Sequence, residues 1–196
     1  MRPPDGQNAR MALKLFRTTG YSSILAPGET RVAMHPAWLV LAVSLWAGFV
    51  CNVAMWRGLR GSAGLARGIT VGAAVAAASM LILSVLGWRK TLKPAAMLAL
   101  VLAALASSTI WGHAWPVDGT LLERPLSSIF LPPWPALLGW QVWATLAGLA
   151  LLPAVWVSQS RLRRLSTGQE LRVNLAGAVI ALAVLVASAW LLERGL

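Results

Sequence analysis

Acidic side chains are scarce in this chain of 196 residues: six Asp and Glu stand against seventeen Lys and Arg, for a formal charge of +11. Charge of either sign is sparse as well, at 12% of residues, about half of what a soluble domain carries. With 58% hydrophobic residues, such a chain cannot cover a folded surface with polar groups, and it is too apolar for a disordered segment. Nucleic-acid binding, the usual reading of a strongly basic chain, is disfavoured because the cations fall between long uncharged runs rather than in one patch. No nucleic-acid partner is expected.

Further scarcities narrow the chemistry. The single cysteine, Cys51, permits neither an intrachain disulfide nor a thiolate cluster. The two histidines, His35 and His113, fall at the borders of apolar segments, on opposite sides of the bilayer in the topology derived below. A zinc site needs three or four converging ligands, so no metal site is expected. Neither a Gly-rich phosphate loop nor a nucleophile elbow is present. Asp118 and Glu123, in WPVDGTLLERPLSS, would stand roughly 140° apart on a helix, and DGT and ERP have the composition of turns and caps. Catalytic residues are therefore expected to be absent.

What the chain has is long uncharged intervals, and a bilayer core asks for about 20 apolar residues per helix. Five intervals qualify, and they predict helical spans at 37–56, 68–88, 94–112, 134–157 and 173–192. They are apolar on every face, unlike the alternating strands of a membrane barrel. The expected fold is all-α, a polytopic bundle of five transmembrane helices over residues 34–196 behind a basic cytoplasmic arm at 1–33. That arm lacks the apolar core of a signal peptide. Trp56, Trp88, Trp111, Trp115, Trp134, Trp156 and Trp190 fall near span ends, where indoles sit at the headgroup level.

No acidic or basic residue lies inside the predicted spans, which argues against proton pumps and ion-coupled transporters. Asn52, Ser79, Ser84, Ser107, Ser108, Gln141 and Thr145 remain as candidate hydrogen bonders between helices. Gly68 and Gly72 form a small-xxx-small face suited to close packing within the monomer. Pro153 is expected to kink the fourth span.

Orientation follows from Lys and Arg in the connections. Twelve of the seventeen cations lie in the N-terminal arm and the second and fourth connections. That places the N-terminus in the cytoplasm and, with five spans, the C-terminus outside. Arg89, Lys90, Lys93, Arg161, Arg163 and Arg164 are the candidates for contact with cytoplasmic headgroups. Asn52, Trp56, Arg57, His113, Trp115, Asp118 and Glu123 are the lipid-facing or outward-loop candidates.

The segment MHPAWLVLAVSLWAGFVCNVAMWR at 34–57, followed by WRKTLKP at 88–94, resembles the membrane domain of bacterial lipid A phosphoethanolamine transferases. Asn52, Trp56 and Arg57, with Leu92, Lys93 and Pro94, carry the likeness. It implies a multi-pass protein of the cell inner membrane, related to enzymes that move phosphoethanolamine from phosphatidylethanolamine to lipid A in lipopolysaccharide modification. In that family a following sulfatase-type periplasmic domain supplies a Thr nucleophile and the zinc ligands. No residue of this chain matches them. In the third-to-fourth connection the family's polar residues are replaced by Arg124, Pro125 and Ser127, with Asp118 retained. The expectation is a membrane-anchoring domain in truncated or split form, inactive alone, without a cofactor of its own and served by a separate catalytic partner. The alternative is a non-enzymatic inner-membrane protein that binds lipid or assists a partner.

Overall fold

A backbone in hydrocarbon has no water to bond, so each segment must close its own hydrogen bonds, and a helix does so within one stretch of chain. The computed structural model describes residues 33–52, 56, 61–88, 90–112, 126–130, 139–163 and 165–194. Among these the architecture is all-helical, and the β-type pairing is an isolated parallel bridge between Met34 and Leu162. Helix α1 (Pro36–Leu45) runs on into a π-helical turn, Trp46–Val50. It is followed by α2 (Gly61–Leu86), α3 (Leu92–Gly112) and the short α4 (Leu126–Phe130). The next helix is composite: α5 (Trp140–Thr145), a π-helical turn at Leu146–Leu151 and α6 (Leu152–Gln159). Helix α7 (Thr167–Glu193) closes the described chain.

Four of these helices are long and apolar enough to cross a membrane: α2, α3, the α5–α6 composite and α7. The protein is a multi-pass helical membrane protein. The first predicted span differs from the rest. Its helix ends at Val50 rather than near Trp56, with a bend at Cys51, whose N–H bonds Trp46 O at 3.0 Å. At 1.5 Å per residue it is about 22 Å long, short of the roughly 30 Å hydrocarbon core.

Helix α2 is packed from two sides, by α1 with its π-turn and by α7, while α3 packs against the α5–α6 composite. The α1–α2 crossing is close because both partners are small there. A Cβ placed on Gly48 would strike the Gly72 carbonyl oxygen and lie 2.7 Å from Ala76 Cβ. Gly72 of the small-xxx-small face thus packs inside the chain, as its sequence context implies.

Leu39, Val40 and Val43 of α1, Leu83 of α2, Leu92, Ala96 and Leu100 of α3 and Val157 of α6 form one contiguous buried cluster. Helix α7 contributes little to burial: Leu175, Val179 and Val186 are 63, 60 and 59% exposed. In a bilayer that is the lipid-facing surface, and it needs no polar cover.

Helix α7 begins with a capping box. Ser166 Oγ accepts from Gln169 N at 3.4 Å, and Ser166 N donates to Gln169 Oε1 at 3.5 Å. Ser166→Ala should lower stability by about 1 kcal/mol. Thermal unfolding in detergent measures this, and a melting curve superimposable on the wild type would refute it.

Candidate functional site

One end of the bundle gathers cations. The chain entering α1 runs beside the segment leaving α6: Met34 N donates to Arg161 O at 2.8 Å, and Arg163 N donates to Met34 O at 2.9 Å. Lys93, in the first turn of α3, donates from Nζ to Ser158 O at 3.1 Å. That carbonyl belongs to the last turn of α6, where a cation is favoured by the helix dipole. His35 caps α1 at the same end, its Nδ1 accepting from Ala37 N at 3.2 Å. Lys90 is exposed on the adjoining α2–α3 turn. The structure therefore brings Lys93, Arg161 and Arg163 to one rim. Arg89 and Arg164 lie outside the described residues.

The α2–α3 turn is tightly bonded. Leu86 O accepts from Trp88 N at 2.9 Å and from Thr91 Oγ1 at 2.6 Å. Asn174 of α7 donates from Nδ2 to Gly87 O at 3.2 Å. These bonds satisfy carbonyls that a helix end leaves open and tie α7 to the same rim.

Of the outward candidates, Asn52 is half-buried beside the π-turn of α1. Trp56 is exposed, its indole Nε1 donating to Phe49 O at 2.6 Å, with the two rings 6.5 Å apart. Arg57, His113, Trp115, Asp118 and Glu123 lie outside the described residues, as do Trp134 and the neighbouring prolines. Among the described residues no three His, Cys, Asp or Glu side chains come together. At the far end of α7, the Arg194 guanidinium stacks 3.7 Å above the Trp190 ring, a cation–π contact suited to an interface.

Two features go beyond the expected kink at Pro153 and the other readings of the residues: a bond from Trp46 to the helix before that proline, and a groove. Pro153 has no N–H to return to Leu149 O, and the chain widens into its π-turn just before it. Trp46 of α1 reaches this carbonyl instead, its Nε1 donating to Leu149 O at 3.0 Å. An apolar cleft of about 380 Å³ lies beside this bond, lined by Val43, Trp46, Pro153 and Trp156.

The second feature is a groove of about 460 Å³ between α2, α3 and the end of α1. Ser107 lines it, 5% exposed, and its Oγ has no hydrogen-bond partner. Ser44 Oγ is likewise buried without one. Ser108, by contrast, turns back on its own helix, its Oγ donating to Leu105 O at 2.8 Å. No family model, no curated protein and no solved structure matches the chain.

Proposed function

We propose that this chain is a membrane-anchoring domain of the kind found in lipid A phosphoethanolamine transferases, holding and presenting lipid for chemistry that a sulfatase-type domain outside this chain performs. The observation that carries the reading is where the two resembling segments lie. Leu39, Val40 and Val43, from 34–57, share one buried cluster with Leu92, from 88–94. The two segments therefore pack against one another, with Leu92 the one residue of the six carrying the likeness that lies in this cluster.

In this reading the chain crosses the inner membrane five times, with its N-terminus in the cytoplasm. The rim of Lys90, Lys93, Arg161 and Arg163 faces the anionic cytoplasmic leaflet, at about 1 kcal/mol per nearby cation. Asn52 and Trp56 lie toward the periplasm. The partners are phosphatidylethanolamine and lipid A. Nucleophile and zinc belong to the catalytic domain.

The groove between α2 and α3 favours a second reading, a lipid-binding protein that assists a partner without transfer chemistry. A chimera separates the two. The 196-residue chain joined at its C-terminus to a transferase's sulfatase-type domain is expected to restore phosphoethanolamine on lipid A in a strain lacking its own enzyme, while the chain alone restores none. A membrane-inserted chimera that modifies no lipid A overturns the transferase reading. Zinc-dependent transfer by the chain alone overturns its dependence on a separate catalytic domain.

A further inference from the structure

Helices α1 and α6 are fastened to each other at two depths. At the cationic rim the backbone of Met34 pairs with that of Arg161 and Arg163. Deeper, Trp46 Nε1 donates to Leu149 O at 3.0 Å. From Pro36 to Trp46, and from Leu149 to Gln159, each helix runs for about 15 Å at 1.5 Å per residue. That is half of a hydrocarbon core of roughly 30 Å, so the region between the two fastenings fits within one leaflet.

Between them the helices leave a cleft of about 380 Å³. Ala42 opens it on the α1 side: it is exposed, on the helix face that carries Trp38 and Trp46, and its single methyl does not span the gap. Leu152, Pro153 and Trp156 form the opposite wall. The lining is apolar, and the N–H of Trp46 is already given to Leu149 O. Water would find too few partners to stay, whereas a bilayer supplies hydrocarbon.

The charge above the cleft selects which hydrocarbon. Leu162 packs against the buried cluster that includes Val43, a residue of the cleft lining. Successive residues of an extended segment face opposite sides, so Arg161 and Arg163 stand on the outer side of the bridge, and both are exposed. Lys93 adds a third cation, its Nζ 3.1 Å from Ser158 O, two residues beyond Trp156. Glu170, in the first turn of α7, is at this end of the bundle but not in the cleft lining. Trp38 and Trp156, 64 and 46% exposed, lie near the same end, as indoles do at headgroup level. A guanidinium offers paired donors to a phosphate, and a phosphodiester lipid without a headgroup amine keeps its negative charge uncompensated.

We propose that the cleft between α1 and α6 is a binding site for one anionic phospholipid, its phosphate held by Arg161 and Arg163 and one acyl chain lying in the cleft beneath. The site rests on the rim's place at the membrane surface and not on the transferase reading, so a chimera that modifies no lipid A leaves it untouched.

Native mass spectrometry of the full chain in mild detergent tests the site, with phosphatidylglycerol and phosphatidylcholine of matched chains in competition. One phosphatidylglycerol per chain is the expected retention. It should be preferred by about 25-fold, or about fivefold for each arginine. The double variant R161Q/R163Q should bind the two lipids equally, and because the bridge uses backbone atoms alone, it survives the change. Ala42→Phe fills the cleft with every cation in place. It should lower retention of both lipids by about tenfold, the worth of roughly two buried methylenes. Val186→Phe, on the exposed face of α7, should alter neither retention nor preference.

Equal binding of the two lipids by the wild type overturns the phosphate contact. Undiminished retention in folded Ala42→Phe overturns the cleft and leaves only diffuse attraction to a basic rim. Displacement of the lipid by an equal concentration of glycerol 1-phosphate, which has no acyl chain, overturns it too. If Ala42→Phe does not fold, Ala42→Leu makes the same test with a smaller side chain.

Discussion

Replacing Gly48 with alanine is expected to cost the bundle most of its folded population, whereas the same change at Gly148 leaves it at least as stable as the wild type. The difference lies in what a single added carbon meets. At Gly48 the new Cβ strikes the carbonyl oxygen of Gly72 and lies 2.7 Å from both the Cβ and the backbone nitrogen of Ala76. Two of those three atoms are backbone, so no rotamer change makes room. The π-turn of α1 and helix α2 must move apart, and in doing so give up the close contact that small residues provide where lipid supplies no hydrophobic drive. Overpacking of this kind costs about 1–3 kcal/mol where side chains can adjust, and more where they cannot. At Gly148 nothing lies within 4 Å of the new carbon. Alanine there gains the ~0.5–1 kcal/mol by which a helix favours it over glycine. Fluorescence-detected size exclusion after a heating series reads both variants. Gly48→Ala melting together with Gly148→Ala would show that the α1–α2 crossing tolerates separation.

The helices that the residues disclose are those whose apolar runs are delimited by charge. Arg67 and Arg89 bracket the apolar run of α2, Lys93 falls in the first turn of α3 and Arg172 precedes the apolar run of α7. These runs lie in helices where the uncharged intervals place them, but α2 and α7 begin about two turns earlier, at Gly61 and Thr167, with Arg67 and Arg172 inside them. The end of α1 is a different case. Apolar composition continues past Val50 to Trp56, so hydropathy has no break to report, and the helix ends where its π-turn and the bend at Cys51 redirect the chain. The capping box at Ser166–Gln169 is written in the sequence as S-T-G-Q, a local signal that charge counting passes over.

The polar contacts between helices were less legible because their partners are distant. Trp46 and Leu149 stand 103 residues apart, and Asn174 and Gly87 are separated by 87. In both pairs the acceptor is a backbone carbonyl, which any residue offers, so side-chain identity cannot nominate it. Ser107 was legible as a polar residue in an apolar helix. That its hydroxyl is buried beside a groove without a partner is a property of packing alone.

The bond from Trp46 to Leu149 makes the other large prediction. Trp46→Phe keeps an aromatic ring but deletes the indole N–H, and the Leu149 carbonyl loses its donor beside a proline that cannot replace it. A polar backbone group without a partner in hydrocarbon costs on the order of 2 kcal/mol or more, which for this bundle is a large fraction of a typical folding free energy. The penalty can be apportioned by a cycle. Pro153→Ala restores an N–H four residues after Leu149, in position to serve the same carbonyl. In that background Trp46→Phe should cost less, by about 1–2 kcal/mol, because the carbonyl has an alternative donor. The loss of ring packing, common to both backgrounds, cancels in the comparison. Steric trapping or thermal unfolding of the four proteins in one detergent measures the coupling. If Trp46→Phe is equally destabilising in the wild-type and Pro153→Ala backgrounds, the indole is packing rather than capping, and the widened turn before Pro153 must be held by its own backbone. A coupling of the expected sign would instead make the two π-turns, one on each helix, parts of a single device: the first directs Trp46 at the second, and the second leaves open the carbonyl that Trp46 fills.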